Sequence, residues 1–114
     1  GYYDALIELA DEVVSENGLS DKECAKNIFN KLKEYEAVSA QLEGSRKVIE
    51  IYGLDDEYTQ EFCNQSVTRA IEFLEEGYYM DVFRFIRDDL EDEDRASDFY
   101  SEYEKECEYD EENY

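Results

Sequence analysis

Histidine and proline are absent from this 114-residue sequence, and basic residues are scarce, with 11 Lys and Arg against 33 Asp and Glu. Without histidine there is no common general base, no usual zinc ligand and no Ser-His or Cys-His dyad. The three cysteines, Cys24, Cys63 and Cys107, are odd in number and scattered, so they form neither a disulfide framework nor a zinc knuckle. Free buried thiols in a reducing compartment are expected instead. No apolar run approaches 18 residues, which excludes a membrane-spanning helix on sequence grounds. Neither a glycine-rich phosphate loop nor a dinucleotide fingerprint occurs. The acid-rich run at Asp92, Asp94 and Asp98 fails the calcium-loop pattern, because its sixth position is Ser97 and its twelfth is Tyr103. No enzyme, no cofactor and no metal site is expected.

What is present is one domain's worth of chain, 42% hydrophobic and rich in Tyr and Phe, enough for a modest core. Residues 1–114 read as a single domain, with no linker or internal repeat. Apolar residues recur at three- and four-residue steps, as at Leu6, Leu9, Ala10 and Val13, and then at Cys24, Ile28, Leu32 and Tyr35. Glycines punctuate this pattern. Gly18 predicts a helix stop and Ser20 with Glu23 a capping box. Gly44 marks an end or a kink, and Gly53 and Gly77 mark further ends, with Asp55 or Asp56 capping the helix between them. No segment alternates with the two-residue period of a strand. The expected fold is all-α: a compact bundle of five or six short helices with an acidic C-terminal helix, and a frayed tail over about 108–114.

The charge of -22 is lopsided. Residues 1–50 hold 11 acids and 6 bases, whereas 51–114 hold 22 acids and 5 bases. Self-repulsion of this kind costs stability and exceeds what solubility requires. Nucleic acid and anionic membrane surfaces would be repelled, so neither is an expected partner. From Asp88 the chain reads DDLEDEDRASDFYSEYEKECEYDEEN. If it is helical, Asp94, Asp98, Glu102 and Glu106 form one row at four-residue spacing. Glu104, Glu108 and Glu111 lie on an adjacent face. Asp88, Asp89, Glu91, Asp92, Glu93, Tyr109 and Asp110 complete the predicted partner-binding set. Phe99, Tyr100 and Tyr103 read as core. Like charges at this spacing destabilise a helix by a few tenths of a kcal/mol per pair. A rigid carboxylate array that imitates DNA phosphates offsets that cost with a function.

In length, charge, helical pattern and acidic ending (ECEYDEENY), the chain resembles phage DNA-mimic anti-defence proteins, such as the antirestriction protein of phage T7 and the acidic anti-CRISPR proteins. The resemblance is one of composition and pattern over the whole chain, with no diagnostic motif. It implies an inhibitor from a phage or mobile element, acting in the cytoplasm of a bacterial host. The implied target is a basic DNA-binding protein or a nuclease complex, a CRISPR effector or restriction enzyme. A homodimer would lengthen the mimic. Three other readings share parts of the pattern: an acidic chaperone or adaptor for a basic protein, an antitoxin-like helical module, and a halophilic domain.

Overall fold

In a computed structural model that describes residues 2–17, 22–75 and 77–112, every regular element is helical. The order is α1 (Tyr2–Asn17), α2 (Lys22–Leu32), α3 (Val38–Tyr52), α4 (Glu57–Glu72), α5 (Tyr79–Arg84), a π-helical turn (Phe85–Asp89), α6 (Glu93–Glu102) and α7 (Glu104–Glu112). Among the described residues seven α-helices therefore replace the expected five or six.

The extra helices come from two breaks that the apolar periodicity conceals. The first falls between Leu32 and Val38, where the apolar spacing continues without interruption through Tyr35. Buried Gln41 holds this break: its Nε2 donates to the carbonyls of Leu32 at 3.2 Å and Tyr35 at 2.8 Å, satisfying acceptors left over at the end of α2. Gly44, expected to end or kink a helix, does neither. It lies inside α3 and permits close approach, since a Cβ there would meet Leu32 Cδ1 at 2.9 Å. The second break falls at Tyr103 and separates α6 from α7. The stop at Gly18 and the Ser20–Glu23 box lie outside the described residues.

Glutamine at position 41 supplies the first testable consequence. Gln41→Met keeps the volume but strips the α2 carbonyls of their donor. A loss of about 1–2 kcal/mol is expected, tempered because the Gln41 carbonyl oxygen itself lacks a partner. The urea midpoint, read by circular dichroism, checks it.

The expected stop at Gly53 is present: its φ of 91° suits glycine, and its N–H bonds the Ile49 carbonyl at 2.9 Å. Asp56 then caps α4, accepting from Tyr58 N–H at 2.9 Å. The tight connection makes α3 and α4 a hairpin, and that hairpin divides the core. On one side Ala10, Ala25, Phe29 and Leu32 of α1 and α2 pack on Val48 and Phe62. On the other, Val38, Leu42, Cys63 and Val67 meet Met80, Phe85, Ile86, Ala96, Phe99 and Cys107. The result is elongated, 46 × 29 × 21 Å, with a radius of gyration of 14.6 Å against about 13 Å for an average domain of this length.

Helix α4 ends at Glu72, five residues before Gly77, which instead takes its φ of 100° in the loop that follows. The chain after Gly77 keeps the helical apolar period through Val82, Phe83, Ile86 and Leu90, yet it opens into a π turn, where Leu90 N–H reaches back five residues to the Phe85 carbonyl at 3.0 Å. The chain then reverses through Glu91, which has a left-handed φ of 53°. That backbone state ordinarily favours Gly or Asn.

Candidate functional site

Three interactions fix α6 and with it the direction of its acids. The Asp92 carboxylate accepts from Arg95 N–H at 3.0 Å and so caps the helix. Arg95 donates through Nη1 to Asn64 Oδ1 at 2.7 Å, pinning α6 to α4. Phe99 and Ala96 are buried, while Tyr100 stacks against Phe83 at 5.4 Å and Tyr103 against Phe99 at 4.9 Å. The expected core role of these aromatics holds. With positions 96, 99, 100 and 103 turned inward, Asp94, Asp98 and Glu102 fall on the opposite face and are exposed. Successive carboxylates in that row rise about 6 Å along the axis.

The row does not continue to Glu106. Tyr103 leaves helical geometry (φ -116°, ψ 34°), its N–H closing on the Phe99 carbonyl at 3.0 Å, and α7 restarts on a new line. Its inward face is Cys107 and Asp110. Glu104, Glu106, Glu108, Glu111 and Glu112 are exposed. Glu112 was not among the predicted residues, and its inclusion follows from the order of α7. The frayed tail expected over 108–114 is thus helical as far as Glu112, the last two residues lying outside the described part.

Four of the predicted partner-binding acids have other work. Asp110 is only 3% exposed and accepts from the Met80 N–H at 3.2 Å, completing the first turn of α5 where Tyr78 offers no side-chain cap. Asp89 pairs with Arg46 at 3.1 Å. Asp88 receives two bonds from Arg87, at 2.8 and 3.0 Å, and they hold its carboxyl below the ordinary carboxylate range. Asp92 is the cap already described. Glu91, Glu93, Asp94, Asp98, Glu102, Glu104, Glu106, Glu108 and Glu111 are exposed as expected, and Tyr109 is 50% exposed. Asp88, Glu91, Asp92, Glu93 and Asp94 also surround a hollow of about 560 Å³ with Arg87 at its wall.

Five of the eleven bases lie over aromatic rings, which composition alone could not reveal. Lys26 sits over the Tyr58 ring at 4.8 Å, Lys33 over Phe62 at 4.7 Å, Arg46 over Phe85 at 5.5 Å, Arg69 over Phe73 at 5.0 Å and Arg87 over Phe83 at 5.2 Å. These cations cover aromatic core edges. Among the described residues, none forms a salt bridge with Asp94, Asp98 or Glu102. From Glu93 to Glu112 there are ten acids and two bases. The field reaches the tyrosines: the Tyr100 phenol is raised, first by its removal from water and then by Glu111, Glu108 and Glu104.

Burial divides the cysteines. Cys24 is exposed, contrary to expectation, because its position on α2 turns away from the stripe of Ala25, Phe29 and Leu32. Cys63 and Cys107 are buried, and burial pushes each thiol from an ordinary 9.0 to about 11. The unfolded chain therefore releases these protons first. The stability these thiols contribute is complete below about pH 9 and is lost as pH rises towards 11, with the raised phenols of Tyr3, Tyr79, Tyr100 and Tyr103 acting in the same direction. Urea midpoints measured across that window should decline steadily. A thiol reagent at pH 8 should modify Cys24 at once, and Cys63 and Cys107 only on unfolding.

Compared with protein-family models, curated proteins and solved structures, the chain shows no match. Among the described residues no group of acids and cysteines is arranged to hold a metal ion, and no helix is long and apolar enough to cross a membrane.

Proposed function

We propose that this protein is a DNA mimic: a stoichiometric inhibitor that occupies the basic DNA-binding site of a bacterial defence nuclease, either a CRISPR effector or a restriction enzyme. One observation carries the reading. Among the described residues, the outer face of α6 presents Asp94, Asp98 and Glu102 without a salt-bridge partner, on a helix anchored by Arg95 and Asn64, while Lys26, Lys33, Arg46, Arg69 and Arg87 lie over aromatic rings. An evenly solvated acidic surface would intersperse the two signs.

Magnitudes refine the proposal. One DNA strand carries a phosphate per roughly 3.4 Å of axis, so the α6 row at about 6 Å per step is sparser than a strand. The exposed acids of α7 and those around Glu91 and Glu93 raise the density. Glu91 supports the same reading. It keeps a carboxylate beside the hollow at a left-handed position where glycine would relieve about 1–2 kcal/mol of strain. Association with a basic groove would be electrostatically steered and would release counterions as DNA does.

The test is capture from a bacterial lysate on the immobilised protein at low salt. The expected result is a discrete DNA-binding protein, eluted by a salt gradient and displaced by duplex DNA. Retention that ignores salt, or a captured protein that still holds DNA in its channel, would exclude mimicry.

A further inference from the structure

We infer that the cleft between α5 and α7 receives the guanidinium of an arginine side chain presented by the partner, an inference that rests on the basic partner proposed above. The cleft, about 380 Å³, is lined by Tyr79, Lys105, Glu106, Tyr109 and Asp110. Asp110 is its chemical centre. It is only 3% exposed, and a carboxylate so enclosed ordinarily has its acceptor positions filled by several donors or by a cation. One backbone N–H, that of Met80 at 3.2 Å, is its hydrogen-bond donor, and no described cation forms a salt bridge with it. The carboxylate therefore has capacity for a cation from outside.

The walls select which cation. Glu106 lies one turn before Asp110 and sets a second carboxylate at the rim. The Tyr79 and Tyr109 rings line the same space, and Tyr109 leaves half its surface open to solvent. A planar guanidinium can stack on a phenol ring and donate two parallel bonds to a carboxylate, whereas an ammonium does neither as well. Lys105 also lines the cleft and is exposed, and it forms no salt bridge with Asp110 or Glu106 among the described residues. The Tyr79 phenol is raised, first by burial and then by Glu106 and Asp110, consistent with an anionic cleft.

The test titrates the full isotope-labelled chain with N-acetyl-arginine-amide, followed by amide NMR, with the neutral citrulline analogue and the lysine analogue as controls. Saturable shifts confined to residues 79–80 and 105–110 are expected, with citrulline about tenfold weaker for loss of the charge-assisted bonds. Asp110→Asn keeps an acceptor for the Met80 N–H, and Glu106→Gln changes only an exposed side chain; each should weaken arginine binding about tenfold. Neutralising Asp94, Asp98 and Glu102 together should leave it unchanged. Equal binding of citrulline, or shifts that spread over α6 and vanish in that triple variant, would overturn the assignment. Binding of free arginine but not of the capped amide would also overturn it, pointing to a metabolite. No partner enters this titration, so its failure is distinct from a failure of duplex DNA to compete.

Discussion

Phe62→Ala is expected to destabilise the protein by about 3–5 kcal/mol, the usual cost of emptying a buried phenylalanine site. The ring is 1% exposed and sits in edge contact with Phe29 at 6.2 Å and against Tyr58 at 5.8 Å, with Lys33 over its face. Its removal opens a cavity and breaks those contacts together. Domains of this size have only about 5–15 kcal/mol in total, and net charge lowers this one further. At low ionic strength the variant should therefore be largely unfolded by mild urea, and added salt should restore part of the loss. Urea titrations at two salt concentrations measure both effects. A loss under about 1 kcal/mol would mean that the α1–α2 side of the core is not closely packed.

The second large effect should have opposite signs in two experiments. Neutralising the outer face of α6, as D94N/D98N/E102Q, removes two like-charged pairs at four-residue spacing. Stability should rise by about 0.4–1 kcal/mol. Binding to the captured partner should fall by about a hundredfold at low salt. The dependence of log affinity on log salt should flatten by about 3 units, if each carboxylate acts like a phosphate in counterion exchange. A purely structural role predicts no loss of binding, and a diffuse chaperone predicts a small one. A gain in stability with full retention of binding would remove α6 from the interface.

Periodicity made the all-helical character plain, because hydrophobic side chains must form a stripe wherever a helix meets a core. It could not reveal where helices broke. The turn at residues 33–37 depends on Gln41, a polar residue whose buried bonds to α2 carbonyls arise only when α3 folds back. Gly44 looked like punctuation and serves contact, a distinction set by Leu32 on another helix. The acidic row at Asp94, Asp98 and Glu102 was legible, since local spacing alone determines a helix face. Its supposed continuation through Glu106 was not, since Tyr103 interrupts it. Asp110 turns inward for a reason its local sequence does not carry: the N–H that draws it belongs to Met80, thirty residues earlier. The positions of the cations over aromatic rings are likewise long-range facts, with no local signature.

The α3–α4 hairpin stands between two separately filled interiors, and this has a consequence for how the molecule tolerates change. Substitutions on the exposed faces of α6 and α7 can alter the charge of that surface while the far interior, built on Phe29 and Leu32, keeps its packing. Repeated change in the outward charge of one end can thus proceed upon an inherited foundation at the other.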